Sequence, residues 1–369
     1  MSEVKRRVFV HIGAPKTGTT YLQERLYLNR GSLGEHGIHY PVGLREDQFF
    51  PALDVSRIRW PGFHDKVAGE WDALLRRVRH HDGTVIISHE VLAATRPERI
   101  KVAMSDLSAG GAEVHVVMTA RDIARQVAAD WQEELKNYSR VSFARHLRRI
   151  RETDPRSNKL WFWRAQSIPQ VLSRWGHTLP PERIHLITVP QRGHVRPDIL
   201  WERFCEVIGA DPAWGSRTGV RRNQSLGVAE ATMLRRLNKR LKAIGVDRMD
   251  HRKLVQGTIV HETLMHRQNM RRIQLPPDAY EWAEDVAREW SDWIADSGID
   301  VVGDLAELMP QRPPADQPWE DPDRPGPRML NQVTMDALVS VIEEAARRPD
   351  PDMTLPARAA RAAKRLRRR

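Results

Sequence analysis

Apolar positions along the chain follow two periods. Short aliphatic, largely β-branched runs at residues 8–12 (VFVHI), 84–88 (TVIIS), 113–118 (EVHVVM) and 183–189 (RIHLITV) read as strands buried on both faces. Between them apolar residues recur at helical spacing: Tyr21, Leu22 and Leu26; Val67, Trp71, Leu74, Leu75 and Val78; Ile123, Val127, Trp131 and Leu135. Residues 97–107 are polar and helix-prone. A broad helical pattern then covers 141–175, another helix runs from about residue 197 to Gly209, and others carry Leu226, Met233, Leu234, Leu237 and Leu241, and Trp282, Val286, Trp290, Trp293 and Ile294. Strands alternating with helices imply an α/β fold, a parallel sheet flanked by helices with right-handed crossovers, here with a largely helical C-terminal half.

Residues 31–65 are irregular, rich in Gly, Pro and His, and carry Tyr40, Phe49, Phe50, Trp60 and Phe63. Such a stretch is either a surface excursion pinned by its aromatics or a loop that supplies substrate contacts. Residues 310–328 (PQRPPADQPWEDPDRPGPR) are rich in Pro and Asp and read as a linker. The expected division is therefore a domain at 1–309, the linker at 310–328, and at 329–369 a short helix (Met335, Leu338, Ile342) with a disordered basic tail. No internal repeat is present.

The composition narrows the class. A chain of 369 residues with 40% hydrophobic content and twelve Trp is long and apolar enough to bury a large core. The single cysteine, Cys205, lies in a helical apolar pattern and is expected in the core; no disulfide can form within one chain, which suits a reducing compartment. The first strand begins by Val8 and no apolar run approaches a membrane span, so the expected location is cytoplasmic. The net charge of +11 is concentrated locally. Arg358, Arg361, Lys364, Arg365, Arg367, Arg368 and Arg369 lie beyond Pro356 with no acid, which leaves about +4 for the rest of the chain.

Candidate chemistry begins where the first strand ends. Gly13, Ala14, Pro15, Lys16, Thr17, Gly18, Thr19 and Thr20 form a glycine-containing turn between a strand and a helix start. Unpaired N–H groups, the positive end of the helix dipole and the Lys16 charge together favour a phosphate or sulfate group. The spacing is not that of the ATPase P-loop, in which the lysine directly follows the second glycine. His89 and Glu90 leave the C-terminal end of the second strand of the sheet pattern, the edge where open α/β sheets bind ligands, and either is a candidate general base. A second strand-to-helix junction carries Arg121, with Asp122 placed to cap the helix. His261 and His266 are five residues apart, which breaks the four-residue spacing of the helical zinc motif.

The run PKTGTT after a strand resembles the 5′-phosphosulfate loop of sulfotransferases that use 3′-phosphoadenosine 5′-phosphosulfate (PAPS). The resemblance extends over residues 7–303. ARDIARQ…DWQEELK, with ITVPQRG and LWERF, looks like a subgroup found in actinomycete-type bacteria. It implies transfer of a sulfuryl group from PAPS to a hydroxyl or amine of an unidentified small-molecule, lipid or glycan acceptor, leaving PAP, with no metal and no specific nucleic-acid partner. By that resemblance Gly13, Pro15, Lys16, Thr17, Gly18, Thr19 and Thr20 hold the 5′-phosphosulfate, Lys16 neutralises the leaving oxygen, and Glu90 or His89 is the base. An arginine at position 121 and a serine eight residues later would hold the 3′-phosphate. Arg121 matches, but position 129 is alanine, and Arg125 is the local substitute. Arg221, Arg222 and Asn223 are candidates to close over the nucleotide, and Gln132, Glu133 and Lys136 to border the acceptor. Two other readings stay open: a small-molecule or nucleotide kinase on the same loop, and a PAPS-binding scaffold without catalysis.

Overall fold

A computed structural model describes residues 6–43, 47–60, 62–63, 66–157, 159–191, 193, 196, 198–220 and 225–348. The expected contacts of Arg221, Arg222 and Asn223 and the basic tail lie outside the described residues.

In chain order the elements are β1 (Arg7–His11), α1 (Thr19–Leu28), α2 (Arg30–Glu35), β2 (Ile38–His39), α3 (Phe49–Ser56), α4 (Glu70–Arg79) and β3 (Thr84–Ser88), followed by a short 3₁₀ turn (Glu90–Ala94). Then come α5 (Pro97–Ser108), β4 (Glu113–Ala120), α6 (Ile123–Lys136), α7 (Phe143–Arg151), α8 (Trp161–Gln166), α9 (Ile168–Trp175), β5 (Ile184–Thr188) and α10 (Ile199–Ile208). The chain continues through α11 (Val228–Ala243), the single turn α12 (Arg248–Asp250), a π-helix (His251–Thr263), α13 (Tyr280–Ser297), β6 (Asp300–Val302) and α14 (Pro327–Arg347).

The strands form one six-stranded sheet in the order β2-β3-β1-β4-β5-β6, with every pairing parallel. The fold is thus the expected parallel α/β sheet flanked by helices. β1 lies centrally because Val8, Phe9 and Val10 are apolar on both faces, as a strand covered by helices on either side requires. Three elements, α2, β2 and α3, interrupt the segment read as irregular. β2 is only two residues long, too short for any period, and α3 carries Pro51 in its first turn, where the missing N–H costs nothing.

One face of the sheet packs Phe9, Ile86, Val117 and Ile187 against Leu22 and Leu26 of α1, Leu33 of α2, and Leu200, Trp201, Phe204, Cys205 and Ile208 of α10. Cys205 is a core residue whose thiol is pushed up to about 12 by burial, so it is protonated and unreactive at neutral pH.

The described chain groups into two compact units. The first is Met1–Glu133, Ser142–Asn223 and Gln274–Trp319; the second is Glu134–Val141, Gln224–Ile273 and Glu320–Arg369. These limits differ from the expected break at residue 310. Within the second unit, the Asn238 amide donates to the carbonyls of Leu135 (2.8 Å) and Ser139 (2.7 Å), and its oxygen lies 2.8 Å from His251 Nε2. The proline-rich stretch has no helix or strand before Pro327, yet it is anchored. Trp319 Nε1 donates to the Gln274 carbonyl at 3.2 Å, and Thr232 donates to the Pro322 carbonyl. The helix after it is a full 21 residues, longer than its sparse apolar pattern predicts.

Phe204 is fully buried and meets His11 edge-on with ring centroids 5.4 Å apart. Phe204→Ala is expected to lower unfolding free energy by about 3–5 kcal/mol, through lost transfer energy and the cavity left behind. Urea unfolding with an unchanged slope would measure this; a loss under about 1 kcal/mol would mean the site collapses around the smaller side chain.

Candidate active site

All the residues described below belong to the first unit. Beyond β1 the chain continues its ladder for a few residues: Ile12 N donates to the Val117 carbonyl (2.9 Å) and Ala14 N to the Thr119 carbonyl (3.0 Å). It then turns sharply through three left-handed residues, Gly13 (φ 50°), Lys16 (φ 69°) and Gly18 (φ 93°). A Cβ on Gly13 would collide with the Thr19 methyl, and one on Gly18 with Leu200. Both glycines are therefore required by space as well as by φ. Left-handed Lys16 and Gly18 on either side of Thr17 bring the turn to the start of α1, a setting in which backbone N–H groups can form an anion-binding concavity. Gly18 is the N-cap of α1 and supplies no side-chain cap, so the helix opens with its first N–H groups available.

Two glutamines hold the loop from behind. The Pro15 carbonyl accepts from Gln126 Nε2 (3.0 Å) and Gln166 Nε2 (3.1 Å), which uses both of its lone pairs. Gln126 Nε2 also donates to Gln166 Oε1 (2.5 Å), and Gln126 Oε1 accepts from Arg121 Nε (2.6 Å). Arg121 is thereby locked to the side chain that holds the loop. Arg125 is engaged elsewhere: it pairs with Asp122 and donates to the carbonyls of Pro190 (3.0 Å) and Val189 (3.3 Å). Asp122 caps α6 as expected, accepting from Arg125 N at 2.9 Å.

Under the loop runs a buried polar chain. Ser88 Oγ lies 2.7 Å from His11 Nδ1, His11 Nε2 lies 3.2 Å from Thr119 Oγ1, and Thr119 Oγ1 lies 2.6 Å from Thr17 Oγ1, which donates to the Ala14 carbonyl at 2.6 Å. One assignment satisfies every member. Ser88 donates to Nδ1, Nε2–H donates to Thr119, Thr119 donates to Thr17, and Thr17 donates to the carbonyl. That assignment needs a neutral His11. Burial indeed depresses its pKa to about 4; the charge of Glu90 pulls upward and His89 downward, both by less.

At the end of β3, His89 and Glu90 face different tasks. His89 is the N-cap of the 3₁₀ turn: its Nδ1 accepts from Val91 N at 3.2 Å, and its ring packs on Phe49. That contact commits Nδ1 to capping the turn. The Glu90 carboxylate accepts from Gln23 Nε2 (3.2 Å), which also donates to the Ser88 carbonyl (3.1 Å). Burial raises the Glu90 pKa, but His89, a backbone N–H, Lys16 and Gln23 together outweigh it and hold the carboxyl below its ordinary value. Lys16 and Glu90 therefore share one electrostatic site. Lys16 Nζ is also 2.5 Å from Glu133 of α6, both side chains being about one-third exposed (35% and 36%). The Tyr40 hydroxyl, just past β2, is buried without a hydrogen-bond partner. Its pKa is raised by burial, then by Asp47 and Glu90.

The loop, Lys16, Arg121 and Glu90 are thus positioned by one connected set of contacts. Sequence reasoning missed His11, Gln23, Thr119, Gln126 and Gln166. Gln23 carried a weak signal, standing one turn after Thr19 on the face toward β3; the others carried none.

No protein-family model matches this chain, and no curated protein matches it in sequence. Among solved structures, the crystal structure of a sulfotransferase from Alicyclobacillus acidocaldarius is similar at 19% identity and a TM-score of 0.36, over 65% of this chain and 96% of that one. At that distance, function has to be read from the residues of this chain.

The neutral His11 sets a pH dependence. Its folded pKa of about 4 lies below the free value near 6.5, so acid favours the unfolded chain. The stability His11 contributes is complete above about pH 6.5 and is lost as pH falls toward 4, to a total of about 3 kcal/mol. Thermal melts from pH 7.5 to 4.5 should fall more steeply for the wild type than for His11→Asn. Parallel curves would mean that His11 is protonated in the folded protein.

Proposed function

We propose that the chain is a sulfotransferase that takes its sulfuryl group from PAPS. The observation that carries this reading is the meeting of a left-handed anion loop at an uncapped helix start with a carboxylate, Glu90, whose pKa Lys16 helps depress. The donor fits the residues present. Gly13 and Gly18 permit the left-handed turn, and the N–H groups of residues 18–20, with Lys16, would hold the 5′-phosphosulfate, the Thr17 N–H being given to the Ala14 carbonyl at 3.3 Å. Arg121, fixed through Gln126 to the same loop, would meet the 3′-phosphate, a task for which Arg125, held by Asp122 and two carbonyls, has less freedom.

Glu90 takes the proton of the acceptor hydroxyl or amine as that atom bonds to sulfur. The donor would supply the sulfuryl group and carry away the bridging oxygen as the sulfur–oxygen bond broke, and Lys16 would neutralise the charge gathering on that oxygen. The kinase alternative needs the hydroxyl after the lysine free for a metal. Thr17 is wholly buried, and its hydroxyl is committed to Ala14 and Thr119.

The deciding measurement is ligand-induced thermal stabilisation. PAP should raise the melting temperature more than ADP at equal concentration, because only PAP carries a 3′-phosphate for Arg121. Equal shifts would remove the main support for a PAPS donor, and a larger shift with ATP and Mg²⁺ would point to a kinase.

The base is tested separately. Glu90→Gln keeps the Gln23 contact but removes basicity, so turnover should fall about a hundredfold or more with little change in PAP binding. Since the Glu90 pKa lies below the ordinary carboxylate value, the ionised base persists down through mildly acid pH, and the wild-type rate should show no limb near 6.5. His89→Asn should lose far less. A limb near 6.5 that disappears in His89→Asn would reverse the assignment.

A further inference from the structure

α14 is apolar on two opposite sides. Val333 and Ala337 are buried within the second unit, where α14 packs on α11 and the π-helix, and Asp336 pairs with Arg267. About 3.6 residues per turn places Met335, Leu338, Val339 and Ile342 on the side away from that contact. These four are exposed by 57%, 50%, 50% and 57%. A helix whose outward stripe is aliphatic lacks the polar face that water requires. Single exposed apolar residues are ordinary, but four in register over two turns are not.

What covers the stripe follows from the chain's charge. Residues 356–369 carry seven Arg or Lys and no acid. Two copies pairing through α14 would bring two such segments together against their repulsion. Single-stranded nucleic acid is gripped by stacking on aromatic rings, and residues 327–369 contain no Phe, Trp, Tyr or His. An aliphatic stripe followed by a polybasic segment matches a surface that is hydrocarbon beneath and anionic above. Neither signal alone anchors a protein firmly, whereas the two together do.

We propose that the second unit binds the surface of an anionic phospholipid bilayer, with Met335, Leu338, Val339 and Ile342 entering the acyl boundary and the basic segment on the headgroups. Each basic residue near such a surface tightens binding by about fivefold. The inference is independent of the donor and base assigned above. No described helix is long and apolar enough to cross a membrane.

The test uses the full chain with vesicles of phosphatidylcholine alone, or mixed equally with phosphatidylglycerol. The wild type should sediment with the mixed vesicles, remain in solution with the neutral ones, and be released by added salt. Leu338→Gln with Ile342→Gln changes only half-exposed positions; it should weaken binding at least tenfold with an unchanged melting temperature. Removal of residues 356–369 should weaken it further. Failure to sediment with mixed vesicles overturns the proposal. So does equal binding of wild type and the stripe variant, which would leave the tail as a simple polycation. A dimer in sedimentation velocity that the stripe variant abolishes, without vesicle binding, would assign the stripe to a second copy.

Discussion

The candidate site depends on a line of hydrogen bonds that water never reaches. Ser88 on β3, His11 on β1, Thr119 on β4 and Thr17 in the loop pass one direction of donation to the Ala14 carbonyl. Backbone pairing aligns three neighbouring strands but does not by itself fix the turn that leaves the middle one. The side-chain line does, because reversing any member leaves a buried donor or acceptor unmet, at about 1–3 kcal/mol each. That penalty is comparable to the cost of holding Lys16, which has a Cβ, at a positive φ. The line offsets the strain, and the strained turn is what leads the chain from β1 into the start of α1.

The same accounting explains what could be read in advance. β1, β3, β4 and β5 were legible because strands buried on both faces leave continuous apolar runs, and α6 and α10 because one-sided burial leaves a helical stripe. β2 left no such trace: it has two residues and is placed by pairing with β3. The turn from β1 into α1 was legible because Gly13 and Gly18 answer local demands of φ and space. Gln126 and Gln166 answer a demand made by Pro15, 111 and 151 residues away, and glutamine is unremarkable in any helix. His11 looked like one polar residue in an apolar run. Only the topology, which sets β1 between β3 and β4, gives its two nitrogens their partners.

Arg125 shows a limit of spacing arguments. One helical turn after Arg121, it stands on the expected face, yet its guanidinium ties α6 to the chain leaving β5. The pair of Lys16 with Glu133 carries a similar lesson about charge. Both groups are partly exposed, so their attraction is worth at most about 1 kcal/mol. A multiply charged anion, as proposed for this loop, would interact with Lys16 and with several N–H groups at once, so Glu133 would orient the lysine without competing effectively for it.

The electrostatics of Glu90 favour availability over strength. A base with a depressed pKa is a weaker proton acceptor, but it is fully ionised across the neutral range, and the groups that depress it do other work. His89 caps the turn that presents the carboxylate, Gln23 orients it from α1, and Lys16 belongs to the anion loop. On the proposed reading, an anion that drew Lys16 toward the loop would reduce one of the influences lowering the Glu90 pKa while desolvation remained. The pKa would then move upward, and the carboxylate would be more basic with the anion bound than with the loop empty. That coupling would follow from Lys16 standing between Glu90 and Glu133 of the chain and the anion of the ligand.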